Sequence, residues 1–165
     1  MLTQARLREL LSYDPETGIF TWRRGNGKRT DIAGKTAGFD CNGYKYLCVD
    51  YQKYPAHRVA WFFVHGRWPN GEIDHINRVR NDNRMSNLRE ATHVQNTYNG
   101  PPRKRNTSGM VGVSWDPVNS KWRAHITVGG KMQDLGRFEC LEDAAGARNL
   151  AATKHFGLFA PLTAQ

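Results

Sequence analysis

The sequence is poor in cysteine, lacks a long apolar run and carries no internal repeat, and each absence narrows what the chain can be. Three cysteines stand among 165 residues, Cys41, Cys48 and Cys140, and none forms a C-x-x-C pair. The ligand spacing of a zinc finger is therefore missing, and no zinc is expected. A sparse, odd set does not build a disulfide framework either, so all three read as reduced structural residues. No apolar stretch approaches the ~20 residues of a membrane-spanning helix. The opening Met1-Leu2-Thr3-Gln4-Ala5-Arg6 has no apolar signal core. These features predict a cytoplasmic protein with no membrane partner.

Positive charge is what the chain has in excess. Lysine and arginine number 24 against 15 acidic residues, a formal net charge of +9. A balance of this kind suits a polyanion, most often nucleic acid. Each neutralised phosphate releases counterions, so binding should weaken steeply with salt.

The hydrophobic pattern predicts an α+β chain in two parts. Leu7, Leu10 and Leu11 recur at helical spacing, which predicts a short helix over residues 3–12. The turn Asp14-Pro15-Glu16-Thr17-Gly18 leads into a strand at Ile19-Phe20-Thr21-Trp22. Residues 23–36 form a basic, glycine-rich loop, either solvated or touching a nucleic-acid backbone. A strand at residues 43–49 and a turn back at 51–54 precede an apolar helix from His57 to His65, which Gly66 ends. The clearest linker is Pro101-Pro102-Arg103-Lys104-Arg105, within residues 100–108. Beyond it the pattern reads β-β-β-α, with strands near 111–116, 121–128 and 131–138 and a helix over 141–156. Gly129-Gly130 supplies the second hairpin turn.

The chemistry concentrates in one quartet: Asp74, His75, Asn87 and Asn96. Its setting reads strand, polar loop, strand, short helix. A hard divalent cation takes oxygen ligands and keeps several waters, so Asp74 and Asn96 are the candidate metal ligands. His75 is the candidate general base, because an imidazole titrates near neutrality. Asn87, on the returning strand, is the candidate acceptor that fixes the ring. Adjacent strand residues face opposite ways, so a twist or bulge is needed for both Asp74 and His75 to serve one cleft. Asp, His and Asn also build capped turns, and Asn83 and Asn87 fit that reading too. His93 is an alternative ligand, and His57 a candidate supporting residue behind the site.

These residues resemble the HNH endonuclease family, in the branch common among phage homing and free-standing nucleases. The matching stretches are His57-Arg58-Val59-Ala60, Asp74-His75-Ile76-Asn77, Asp82-Asn83-Arg84-Met85-Ser86-Asn87-Leu88-Arg89 and Asn96, with a weaker extension through Tyr13-Asp14-Pro15-Glu16-Thr17-Gly18. The resemblance implies a ββα-metal core with an N-terminal β-rich extension. It implies Asp74 and Asn96 as metal ligands, His75 as base, Asn87 as its orienter, and products with 5′-phosphate and 3′-hydroxyl ends. One divalent cation per site is expected, magnesium or manganese. In this chain Arg78-Val79-Arg80 follows Asn77 where many relatives carry Gly-Asp or Gly-Asn. That departure changes the hairpin loop and leaves the quartet intact.

The C-terminal segment resembles the plant ethylene-response-factor type of DNA-binding domain. The resemblance rests on Gly109-Met110-Val111-Gly112-Val113-Ser114-Trp115, Lys121-Trp122-Arg123-Ala124-His125-Ile126, Leu135-Gly136-Arg137-Phe138 and Glu142-Asp143-Ala144-Ala145-Gly146-Ala147-Arg148. On the middle strand Trp122, Ala124, Ile126 and Val128 share one face, predicted to pack on the alanine-rich helix. Candidate DNA contacts are Ser114, Trp115, Lys121, Arg123, His125, Thr127, Lys131 and Gln133, with Arg103, Lys104 and Arg105 of the linker on phosphates. Ser114 and Asp116 stand where the plant domain usually carries arginine, so its sequence preference does not carry over.

The expectation is a metal-dependent DNA endonuclease, nicking or cutting both strands, and acting as a monomer on double-stranded DNA in a host cytoplasm. Residues 1–99 would form the nuclease region (core about 54–99), 100–108 the linker and 109–165 the DNA-binding domain. The alternatives are an inactive DNA-binding regulator and an RNA-directed nuclease; A-form RNA hides its major groove from such a sheet.

Overall fold

A glycine turn near the N-terminus decides how the first half of the chain is assembled. The computed structural model describes residues 2–25, 31–102 and 105–160. Two compact units result, residues 1–93 and residues 94–165.

In the first unit, Thr3 caps helix α1 (Gln4–Leu10) by accepting a hydrogen bond from the Arg6 amide at 3.2 Å. The helix ends two residues before the predicted limit. Leu11 already starts strand β1 (Leu11–Asp14), which pairs antiparallel with β2 (Ile19–Trp22). Tertiary pairing thus takes Leu11 out of the helical pattern, and Leu7, Leu10 and Leu11 are all buried in one core. A second sheet orders β3 (Phe39–Cys41), β4 (Tyr44–Val49) and β5 (Gln52–Pro55). Strand β3 was not expected: it is only three residues long and exposed throughout. Helix α2 (Ala56–His65) buries Ala56, Val59, Ala60 and Phe62, and Gly66 closes it with a left-handed φ of 71°. Gln4 Nε2 donates to the Phe63 carbonyl at 2.9 Å and ties α1 to the end of α2. The ribbon β6 (Glu72–His75) and β7 (Leu88–Ala91) follows, with a 3-10 turn at Met85–Asn87 before β7.

The turn between β1 and β2 reaches forward to that ribbon. Gly18 has a φ of 72°, and a Cβ there would lie 2.5 Å from the Arg84 amide nitrogen. The Pro15 carbonyl accepts from the Met85 amide at 2.9 Å. The Tyr13 hydroxyl donates to the Asn83 carbonyl at 2.7 Å. The N-terminal hairpin therefore fixes the backbone of residues 83–85.

The second unit starts ahead of the expected linker. Helix α3 (His93–Tyr98) belongs largely to it, and Tyr98 stacks on Phe156 with centroids 3.8 Å apart. Strands β8 (Val113–Asp116), β9 (Lys121–Val128) and β10 (Lys131–Phe138) form an antiparallel sheet with β9 central. Helix α4 (Leu141–Phe156) lies against it with Ala144, Ala145 and Ala152 buried, small side chains that let the helix approach closely. No described helix is long and apolar enough to cross a membrane.

Arg148 is the exception in this second core. It is 5% exposed, its Nε has no hydrogen-bond partner, and burial lowers its pKa from the ordinary arginine value. A buried charge of this kind costs stability that an apolar group of similar volume does not. Arg148→Met should raise the thermal midpoint of unfolding, and a lowered midpoint would contradict this account of the site. Gly18→Ala forces a side chain into a left-handed conformation against backbone and should cost about 1–3 kcal/mol in denaturant titration; an unchanged midpoint would show that the turn does not brace residues 83–85.

Candidate active site

Consecutive residues of β6 supply both an acid and an imidazole, and the Asp74 charge acts on the His75 ring. The register sets Asp74 opposite Arg89 and His75 opposite Leu88. Ile73, Asp74 and His75 are all buried, Asp74 at 5% and His75 at 6% exposure. The register shows no bulge, and His75 is the last residue of β6, where the strand ends and the chain turns.

His75 sits among rings. The His57 ring meets it edge-on at 5.1 Å and Tyr44 lies at 6.2 Å. Its Nε2 is 3.2 Å from the Asn83 side-chain oxygen. An amide oxygen only accepts, so Nε2 carries the proton in the neutral ring. Burial lowers the His75 pKa, partly offset by the Asn83 hydrogen bond and by the Asp74 and Asp82 charges. The ring is thus held neutral at neutral pH, the state a proton acceptor needs.

The expected acceptor for that ring was Asn87, and here the structure differs. The Asn87 side-chain oxygen accepts from the Asn77 amide at 2.9 Å, and its Nδ2 donates to the Asp82 carbonyl at 2.8 Å. Asn87 closes the loop between the two strands, and Asn83, carried on that loop, reaches His75. Asn83 is 2% exposed, with its backbone carbonyl held by Tyr13. Asn77 Nδ2 also donates to Asp82 at 2.7 Å, and Arg84 pairs with Asp82 at 2.6 Å, holding that carboxyl down at about 2. The substituted Arg78-Val79-Arg80 segment fits this loop, with Arg78 at a φ of 63° and Arg80 5.0 Å over the Tyr44 ring.

Asp74 meets Arg89, a residue quoted in the motif but given no role by it. Arg89 Nε lies 2.8 Å and Nη2 2.6 Å from the same Asp74 oxygen, Oδ2. Setting the two strands against each other residue by residue would have exposed this pair, and the loop length hid the register. Asn96 lies half-buried on α3 in the second unit. His93, the alternative ligand, is exposed and bonded to Glu72 at 2.8 Å. Among the described residues no three His, Cys, Asp or Glu side chains group around one point.

The candidate DNA contacts divide by pleat. Ser114, Lys121, Arg123, His125 and Thr127 share one face of the second unit's sheet. Pairing places Trp115 opposite Trp122, Lys131 opposite Val128 and Gln133 opposite Ile126, which puts these three on the other side. The register thus divides the candidate contacts between the two faces of the sheet. Arg123 pairs with Asp134 and Lys121 with Glu139, both at 2.9 Å. Exposed pairs of this sort are worth little, about 1 kcal/mol or less, and a phosphate can replace the carboxylate. Arg105 is exposed; Arg103 and Lys104 lie outside the described residues, as do Lys28 and Arg29 of the basic loop.

Residues 54–98 match the family model of the HNH endonuclease. Over 90 residues the chain is 34% identical to Protein 3.8 of Escherichia phage T7, covering 54% of this chain and 74% of that protein. The chain belongs to the HNH endonuclease family. It is also 32% identical over 121 residues to an uncharacterized HNH endonuclease of Acanthamoeba polyphaga mimivirus. That match spans 72% of this chain and 62% of the mimivirus protein. No solved structure matches the chain. The HNH segment thus contains β6, β7 and the loop that carries Asn83.

His57 stands behind this HNH centre. Its Nδ1 is buried without a hydrogen-bond partner, and burial together with the His75 and Arg58 charges lowers its pKa to about 4 from 6.5. Between those values the unfolded chain binds more protons than the folded one. Stability is therefore fully present above pH 6.5 and is lost as pH falls toward 4. The effect amounts to up to about 3 kcal/mol. Urea midpoints should drop between pH 7 and pH 4.5, and His57→Phe should flatten that drop; an unaltered slope would remove His57 as its source.

Proposed function

We propose that this protein is a metal-dependent DNA endonuclease of the phage homing or free-standing type, with His75 as general base and Asp74 as metal ligand. The observation that carries the reading is a buried, neutral imidazole pinned through Nε2 by Asn83, next in the chain to a buried carboxylate. The donor chemistry fits a hard divalent cation: Asp74 offers a carboxylate oxygen, and Asn96 is proposed from the family motif as an amide-oxygen ligand. When bound, that cation supplies charge for the phosphate oxygens and the departing 3′-oxygen.

The chain's own residues do the rest. With Nε2 protonated, His75 holds its lone pair on Nδ1, the atom that takes a proton from the attacking water. Asn83 keeps the ring angle and tautomer through that transfer, because its oxygen continues to accept from Nε2–H. Asn87 acts one step back, by holding the loop that delivers Asn83. The Nε2–H···O bond also favours the imidazolium that forms, as a hydrogen bond to the charged state does. Attack on phosphorus breaks the bond to the 3′-oxygen, which takes a proton from solvent, and leaves 5′-phosphate and 3′-hydroxyl ends.

Residues 109–165 are proposed to grip duplex DNA through the Ser114–Arg123–Thr127 face, with Arg105 and its linker neighbours on phosphates. One centre per chain makes single-strand nicking by a monomer the simplest mode. Magnesium and manganese are the proposed metals.

Supercoiled plasmid incubated with magnesium and protein should relax to nicked circles, and chelator should stop it. His75→Ala should slow this by at least about 100-fold, the scale of general-base catalysis, while gel-shift affinity for the same DNA stays near wild type. Parallel loss of binding and cutting would contradict the assigned role of His75.

A further inference from the structure

The pairing of Asp74 with Arg89 has a consequence for the kind of cation the centre accepts. The two residues are cross-strand partners in β6 and β7, which fixes their Cα atoms opposite each other. Asp74 is 5% exposed and the Arg89 side chain 14%. A guanidinium fork commonly spans both oxygens of a carboxylate. Here both of its arms, Nε at 2.8 Å and Nη2 at 2.6 Å, close on one oxygen, Oδ2. Two charge-assisted contacts engage that oxygen, between residues the register sets opposite each other.

A carboxylate binds a divalent cation through one oxygen or through both. Calcium takes six to eight ligands in a flexible shell and readily uses both oxygens, whereas magnesium demands near-octahedral geometry and uses one. Bidentate ligation requires Oδ2, and Oδ2 is held by Arg89. We infer that Arg89 is a specificity-determining residue: it restricts Asp74 to ligation through a single oxygen and so biases the centre toward small octahedral cations over calcium. The positive charge of Arg89 repels magnesium and calcium alike, because both are divalent. It therefore lowers affinity for each by a similar factor, and the ratio reads chiefly the coordination mode.

This inference rests on the proposed metal-ligand role of Asp74. Its test is competition binding on the full chain, with no cleavage step. Free manganese is followed by electron paramagnetic resonance while magnesium or calcium displaces it. In the wild-type chain magnesium should displace manganese better than calcium does. In Arg89→Gln and Arg89→Met, which take the guanidinium fork away from Oδ2, calcium should gain on magnesium by several-fold. Removing the arginine takes a cationic partner from a buried carboxylate, so folding of each variant is checked by circular dichroism. Arg89→Lys keeps the cation without the planar fork and should shift the ratio in the same direction by less, which preserves the test if the neutral variants do not fold. A wild-type ratio in every folded variant, with manganese still bound, would overturn the role of Arg89 and leave the metal reading standing. A wild-type chain that retains no manganese would overturn both.

Discussion

The immobilisation of one imidazole is the constraint on which the first unit is built. His75 comes from a four-residue strand, and a strand that short does not hold a ring in one orientation by itself. The ring is held from outside, by Asn83 at Nε2 and by the His57 and Tyr44 rings around it. Asn83 in turn needs a fixed backbone. Asn87, Asn77 and Asp82 tie the loop to itself, and Tyr13 and Gly18 of the N-terminal hairpin brace it from another part of the chain. The N-terminal extension thus has a physical task in the HNH region. Burial of a neutral histidine pair then carries a cost at low pH, which His57 expresses as acid sensitivity.

The second unit works on different terms. Its core depends on small side chains: Ala144, Ala145 and Ala152 let α4 settle on Val113, Ala124 and Ile126. Its outer sheet surface balances cations against carboxylates, with Arg123 on Asp134, Lys121 on Glu139 and Arg137 on Asp116. In the proposed reading a polyanion takes the place of those carboxylates on the same cations, an exchange the net charge of +9 favours.

Much of this was legible in the residues. The helix over 141–156, the three C-terminal strands and the strand-loop-strand-helix order around Asp74 follow from periodicity and turn chemistry. The failures have physical causes. Strand β1 was hidden because Leu11 continues a helical spacing, and only pairing with β2 converts it. Strand β3 has no buried face, and three residues are too short a window for the Phe39-Asp40-Cys41 alternation to mark a strand. The exchange of Asn83 for Asn87 at the ring depends on loop closure, which spacing along the chain does not encode. Arg89 was in view as a letter of the motif, but its role needs the register that sets it against Asp74. Tyr98 belongs with the second unit because it stacks on Phe156, a contact between residues far apart in sequence.

The proposed chemistry divides the labour between two neighbours, with Asp74 on the cation and His75 left to accept a proton. Crystals grown with manganese, mapped by anomalous scattering, address both halves at once. A single peak at bonding distance from an Asp74 oxygen, with none bonded to the His75 ring, is the predicted result. A peak bonded to a His75 nitrogen, or bound metal that leaves Asp74 untouched, would contradict the account.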